Sequence, residues 1–496
     1  MGVKAEADVS PDLSIEQDSE LPQLKNTTER KLMAKIDLYI LPMLSILYLL
    51  AFLDRVNIGN AVIFGLKKDL GITSGTQYNT ALTIFFIPYV LFEIPSNLLL
   101  KKFKPHVWLS LCMFAFGLIT CLQGITTNYA GILATRFFLG LAETGMFPGC
   151  FYLMGMWYKR SEAQKRFSFF FSSTTLAGAF GGLLASGIGK MGGLRGYNGW
   201  RWLFILEGVF TCVVAVIWFF LIPDFPEDVK WLTEEEREFI KAKLAKDVGK
   251  AGVDAKVTFK DVISIVSDRE SYRSSYPSSN CFYTNLGFTA KVLIGGFMYL
   301  GMIVPAYTKL FAAIETQLYS IPPWAVAFVF AMLMAYVSDR IAHRVSFATL
   351  PIAFAIAGFS MLLTVHGKEN RHIQYGALFL ITCGTYSAMP IIICWYAMNL
   401  SGHKRRAIGT GWQIGFGNIG GIIATYSFLE KDAPQFKPGH SISIGFLCLA
   451  VVSSVLYLFL ILSRNKKKDA QGAPTQALDQ EDGDLGDLSP NYRYQI

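Results

Sequence analysis

The chain has 496 residues, of which 52% are hydrophobic and only 17% charged, with a mean hydropathy of +0.37. A soluble domain carries about 25% charged residues, so lipid rather than water is the expected solvent for most of this sequence. The net charge of +8 sits in short clusters between apolar runs and not along one stripe, which argues against a nucleic-acid partner and for a topology signal.

In chain order, residues 1–35 are polar and acidic with no apolar signal-peptide core, and are predicted to be a disordered cytosolic tail. Apolar runs follow at about 36–64, 80–100, 107–123, 129–154, 167–189 and 202–222. A crossing helix needs about 20 apolar residues, so residues 36–222 are expected to form a six-helix bundle. Residues 223–290 are a polar linker, expected to be cytosolic, in which Thr233 and Glu236 form a capping-box pattern that opens a charged helix running to about Ala245. A second set of runs, at about 292–307, 324–337, 347–365, 375–400, 408–428 and 442–462, makes residues 291–463 a second six-helix bundle. Residues 464–496 are predicted to be a disordered cytosolic tail.

The fold class expected is therefore an all-α membrane protein with 12 transmembrane helices in two six-helix bundles. Lys and Arg clusters at 101–104, 159–166, 340–344 and 404–406 fall on the same side as both tails and the linker. The positive-inside rule makes that side cytosolic, and the plasma membrane is the expected location. Seven of the eight cysteines lie in apolar runs with no metal-ligand spacing, so no metal or other cofactor is expected. No P-loop, HExxH or nucleophile-elbow motif is present, and no enzymatic activity is expected.

Asp54, Arg55, Arg136, Glu143 and Glu207 fall inside apolar runs. An ionisable group at the bilayer centre costs about 2.5 to 3.5 kcal/mol on insertion scales, so each should face a partner or a cavity. Arg136 and Glu143 are seven residues apart and share one helix face. With the first span ascending and the fourth descending, Asp54 and Arg55 lie at a height between them. The bland reading is mutual neutralisation in a buried network. The functional reading makes Arg55 and Arg136 the binders of a substrate carboxylate and Asp54 and Glu143 the proton-exchanging groups. For Glu207 the bland expectation is pairing with the nearby Arg201.

Tyr89, Trp395, Asn399, Gln413 and Asn418 are polar groups inside other runs, of which Tyr89, Asn399 and Gln413 are candidate ligand contacts. Gly178, Gly181, Gly182, Gly187 and Gly189 punctuate the fifth run, where small residues allow close helix approach.

Four long stretches carry a resemblance: KIDLYILPMLSILYLLAFLDRVNIGNA at 35–61, FFIPYVLFEIPSNLLLKKF at 85–103, RFFLGLAETGMFPG at 136–149 and GWRWLFILEG at 199–208. IPPW at 321–324 and SDR at 338–340 are placed to match in the second half. Together they resemble the major facilitator superfamily, anion:cation symporter family, in its fungal allantoate and nicotinic acid permease branch. The resemblance implies alternating access around a central site between two bundles. It implies coupling and anion-binding roles for Asp54, Arg55, Arg136 and Glu143, and gating by Asp339, Arg340 and Arg344. The acidic loop signature after the second span is reduced to Lys101, Lys102 and Lys104, and residues 267–291 have no counterpart in the family.

The function expected is secondary transport of a small organic anion by proton symport, the partners being that anion, protons and the lipid bilayer, with the chain acting as a monomer. Two alternatives share the fold: an exporter of an acidic fungal metabolite, and a nutrient receptor that binds without transporting.

Overall fold

The computed structural model describes residues 24–248 apart from 26, 74, 101 and 102, residues 313–470 apart from 342, 401, 402 and 434, and residues 493–495. The expected seventh span, most of the linker after Val248, Lys101, Lys102, residues 1–23 and most of the last tail lie outside the described residues. Everything regular among the described residues is helical.

Among the described residues, ten helices are long and apolar enough to cross a membrane. In the first half they match the expected six: Glu29–Ile63, Thr76–Asn97, Pro105–Ile125, Tyr129–Gly155, Glu162–Met191 and Gly199–Leu221. The eighth, ninth, tenth and twelfth spans are Ile321–Ile341, Arg344–Thr364, Arg371–Met398 and Lys437–Ala470. In the eleventh position stands the helix His403–Ser427, which opens on Lys404, Arg405 and Arg406 and carries Gln413 and Asn418. That composition makes it less apolar than its neighbours although it packs among them.

Two first-half spans are interrupted near their middle. The second is built of Gly75–Thr83 and Phe86–Leu100, and the fourth of Tyr129–Glu143 and Met146–Gly155. Proline explains both by one rule. Pro88 and Pro148 have no N–H to give the carbonyl four residues earlier, which belongs to Ile84 in one span and to Thr144 in the other. The two interruptions meet, because a Cβ on Gly140 of the fourth span would strike the Phe85 carbonyl oxygen of the second. Glycine at 140 is therefore a requirement of close backbone approach.

The halves join along two seams. In one, the second span lies along the eleventh: Asn79 Nδ2 donates to the Thr425 carbonyl, Phe86 packs on Gly421, Glu93 on Gly415 and Asn97 on Gly411. In the other, the fifth span packs on the eighth, where a Cβ at Gly178 would lie 2.6 Å from the Trp324 ring. Of the other punctuating glycines, Gly189 meets Phe64, Gly181 lies near Asn60, and Gly187 meets nothing within 4 Å. The largest apolar core crosses between the halves. It joins Tyr48, Phe147, Phe167, Phe170 and Phe171 to Tyr386, Met389, Cys394 and Met398 of the tenth span.

At the end of the bundle where the linker begins, the helix Glu234–Val248 is strapped to the first half. Its capping box forms as expected: the Thr233 N–H donates to Glu236 Oε2 at 3.0 Å and the Glu236 N–H to Thr233 Oγ1 at 3.3 Å. Lys35 donates to Glu236 at 2.8 Å, and Lys243 bridges Glu29 at 2.8 Å and Glu162 at 2.7 Å. Trp231 stacks between Tyr39 and Trp157, with ring centroids 4.5 and 5.5 Å away.

At the same end the last helix continues to Ala470, past the boundary at 463 that hydropathy suggested, and three residues of the last tail are docked instead of disordered. The Tyr494 N–H donates to Asn465 Oδ1 at 3.0 Å, and Asn465 Nδ2 donates back to the Tyr494 carbonyl at 2.9 Å. The Gln495 N–H donates to Asn399 Oδ1 at 2.7 Å, while Asn399 Nδ2 and Trp395 Nε1 donate to the Gln495 carbonyl at 3.1 and 3.0 Å. Tyr494 is buried under Lys468 and Arg464.

Candidate functional site

The site grows from the crossing of the first, second and fourth spans. Asp54 and Arg55 are adjacent on the first helix, so their side chains leave it about 100° apart, as 3.6 residues per turn requires. That rotation separates their roles. Arg55 turns to the fourth span, where it forms a buried ion pair with Glu143 through Nη2. Its guanidinium lies over the rings of Phe85 and Tyr89 of the second span, 5.0 and 5.4 Å from their centroids. Asp54 turns the other way, toward the sixth span, and accepts from Thr211 Oγ1 at 3.4 Å.

Arg136 stands two turns above Glu143 on the fourth helix and is 2% exposed. Its Nη1 donates at 3.5 Å to the Arg55 carbonyl, and its Nε and Nη2 have no hydrogen-bond partner among the described residues. Buried guanidinium donors are normally satisfied, so these two unused donors set Arg136 apart from Arg55. The four charges foreseen on the first and fourth spans therefore lie in one region but do not form a closed square. One pair is complete, one cation has spare donors, and Asp54 faces a different neighbour.

Tyr89 lies beside this group, under the Arg55 guanidinium. Gln413, 2% exposed on the eleventh span, has neither side-chain polar atom bonded among the described residues. Asn399 stands apart, at the linker end, fully engaged with Tyr457 and Gln495. Asp339 and Arg344 are joined at 2.7 Å, with Arg344 also donating to Ser338 at 3.0 Å, and Arg340 lies over the Tyr336 ring at 5.0 Å. These three sit together at the junction of the eighth and ninth spans.

Glu207 departs from its expected pairing. Arg201 gives its Nη1 to the carbonyls of Gly124 and Thr126 at 3.2 and 2.7 Å and covers Trp200, while Glu207 accepts from Asn57 Nδ2 of the first span. Asn57, and the two prolines that interrupt the helices around the site, were not singled out from the sequence. Pro88 and Pro148 inside apolar runs were the available signal.

Two broken spans around a buried, partly neutralised ion cluster, within the first of two helical halves, fit a polytopic membrane carrier. The chain belongs to the Major Facilitator Superfamily, whose family model matches residues 44–425. It is 33% identical over 495 residues to the MFS-type transporter cnsO of Penicillium expansum, covering 94% of this chain and 90% of that one. It is 32% identical over 447 residues to the MFS transporter prlL of Fungal sp. (strain NRRL 50135), covering 88% of each. In fold it is similar to the crystal structure of a bacterial homolog to the human lysosomal transporter Spinster, in an inward-facing and unoccupied conformation. The TM-score is 0.56 at 15% identity, over 85% of this chain and 96% of that one. The protein is thus a multi-pass membrane transporter of this superfamily.

Proposed function

We propose that the chain carries a small organic anion by proton symport, as its resemblance to the anion:cation symporters implies, with a carboxylate substrate such as a vitamin or ureide acid. The observation that carries this reading is Arg136, buried at 2% exposure with Nε and Nη2 free of partners among the described residues. A carboxylate offers two acceptor oxygens to such a fork.

The Arg55–Glu143 pair supplies the coupling. A substrate carboxylate that approaches Arg55 competes with Glu143 for the same guanidinium. Once displaced, the Glu143 carboxylate is a buried anion without a partner, and binding a proton from water to form the carboxylic acid removes that penalty. Substrate and proton then enter the site together. Tyr89 and Gln413 contribute polar contacts on opposite sides of the seam between halves. Asp339, Arg340 and Arg344 act as a gate at the linker end, which is cytosolic in this reading, and the plasma membrane monomer is the working unit.

The test is a screen of radiolabelled small carboxylates in proteoliposomes holding the full chain. Arg136→Ala is expected to abolish saturable anion binding, and Arg136→Lys to weaken it, since a point charge replaces a fork. Uptake should rise as the outside is acidified and collapse with a protonophore. Full uptake by Arg136→Ala would end the assignment of this residue, and indifference to pH and protonophore would end the symport.

A further inference from the structure

Among the described residues three hydrogen bonds tie the first span to the sixth: Trp218 Nε1 donates to the Met43 carbonyl, and the other two end on carboxylates. Thr211 donates to Asp54 Oδ2 at 3.4 Å, and Asn57 donates to Glu207 Oε2. Asp54 and Asn57 are three residues apart on one helix, and Glu207 and Thr211 four apart on the other. The two rungs are therefore stacked about one helical turn, about 5.4 Å, apart. Two acids thus face each other across one helix contact, Asp54 1% and Glu207 6% exposed.

Each donor in this contact is neutral and leaves one carboxylate oxygen over. Asp54 Oδ1 and Glu207 Oε1 have no hydrogen-bond partner among the described residues. The groups around them do not neutralise two negative charges. The fourth span presents Glu143 and Arg136, the former paired with Arg55 beside Asp54. The third span presents Cys121 and the sixth Cys212. The fifth contributes the Gly181 carbonyl, which accepts from Asn60, itself bonded to Asn57. Besides Arg55, which Glu143 holds, one cation, Arg136, stands near Asp54, and it makes no ion pair with Asp54 or Glu207 among the described residues. An unpaired carboxylate in a dry interior takes up a proton instead of staying charged, and two neighbouring acids do so in separate steps.

We propose that Glu207 and Asp54 form a proton-binding site of their own between the first and sixth spans, distinct from the Arg55–Glu143 pair, with Asn57 and Thr211 as positioning residues. A proton from water on one side forms an O–H bond at one of the free oxygens, and the same bond breaks when the site opens to the other side, leaving the carboxylate. This deepens the symport reading, in which Asp54 is already expected to exchange protons, by adding Glu207 as the acid that titrates with it. Its test needs no substrate.

The experiment is infrared difference spectroscopy on the purified full chain while the pH is lowered, reading the C=O stretch of protonated carboxyls. The wild type is expected to show a band that Glu207→Gln and Asp54→Asn each diminish, with the remaining band displaced because its partner acid is gone. Glu207→Asp, which keeps the acid and guards against misfolding, should restore a shifted band. Thr211→Val should move the Asp54 component alone. Unchanged titration in Glu207→Gln would overturn the site, and so would a band erased by sodium at constant pH, which would make it a metal-ion site. If the bands behave as stated but no anion is carried, the anion reading fails and this site stands. If anion uptake is found while the bands ignore both substitutions, the reverse holds.

Discussion

Arg55 and Glu143 illustrate how a buried pair constrains both partners. Their joint burial is costly to establish, yet removing one partner alone strands a charge, which typically destabilises by about 3 to 5 kcal/mol. Arg55→Met and Glu143→Met singly are therefore expected to lower the melting temperature of the solubilised protein sharply. The double variant should recover most of that loss while remaining unable to transport. A double variant no more stable than the singles would show that the two residues do not act as a pair. The sequence already placed these charges at neighbouring heights, because height follows from residue count along a helix. It did not say that Arg55 would take Glu143 while Asp54 turned to Thr211, because that depends on the rotation of three helices about their own axes. Glu207 shows the same limit: Arg201 was its near neighbour in sequence, but two backbone carbonyls at the end of the third span hold Arg201 instead.

At the scale of single elements, the interrupted spans are the feature that most shapes the site. Pro88 and Pro148 open the second and fourth helices at the level where Arg55 lies over Phe85 and Tyr89. Gly140 lets the two openings touch. Gly140→Ala is expected to destabilise the fold and reduce transport, since the added methyl meets the Phe85 backbone, which cannot swing aside as a side chain can. Ala at Gly187, which has nothing within 4 Å, should be tolerated, with a small gain in helix propensity. Thermal unfolding of the two variants side by side measures this, and equal stability would refute the backbone contact. A proline inside an apolar run is visible in any sequence, but that two such breaks face each other through a glycine is a property of packing.

For the whole molecule, the linker helix and the docked Tyr494 and Gln495 bind the ends of both halves on one side. Two carboxyls there are held below the ordinary value, Glu29 by the Lys243 hydrogen bond and Glu236 on the helix itself. Partial burial pushes the Glu236 carboxyl up, but the Lys35 hydrogen bond, the Thr233 N–H and the Lys35 charge outweigh that, so it lies below the ordinary value of 4.5. A depressed acid stabilises fully above its unfolded value and loses that contribution as pH falls through the lowered one. Hydrogen-exchange protection in Glu234–Val248, corrected for the intrinsic exchange rate at each pH, is therefore expected to be steady above pH 4.5 and to fall below it. Glu236→Gln should reduce that step, leaving the part due to Glu29, and leave the helix docked more weakly. The size is modest, since the pair is part-buried with its Lys35 end open to solvent, and ion pairs near the surface contribute about 0 to 1 kcal/mol. A step above pH 4.5, or one undiminished in the variant, would remove Glu236 from this role.

The sequence by itself determined the membrane, the first six spans, the capped linker helix and the residues that would carry charge into the bilayer. These follow from apolar run length, capping chemistry and the burial cost of an ion, all of which act over a few residues of one chain segment. Tertiary structure alone decided which charge met which, that Asn399 would hold the chain's own Gln495, and that Glu207 would face Asp54. Those outcomes depend on how helices far apart in sequence rotate and approach, and a rotation of one residue, about 100°, is enough to hand a side chain to a different neighbour.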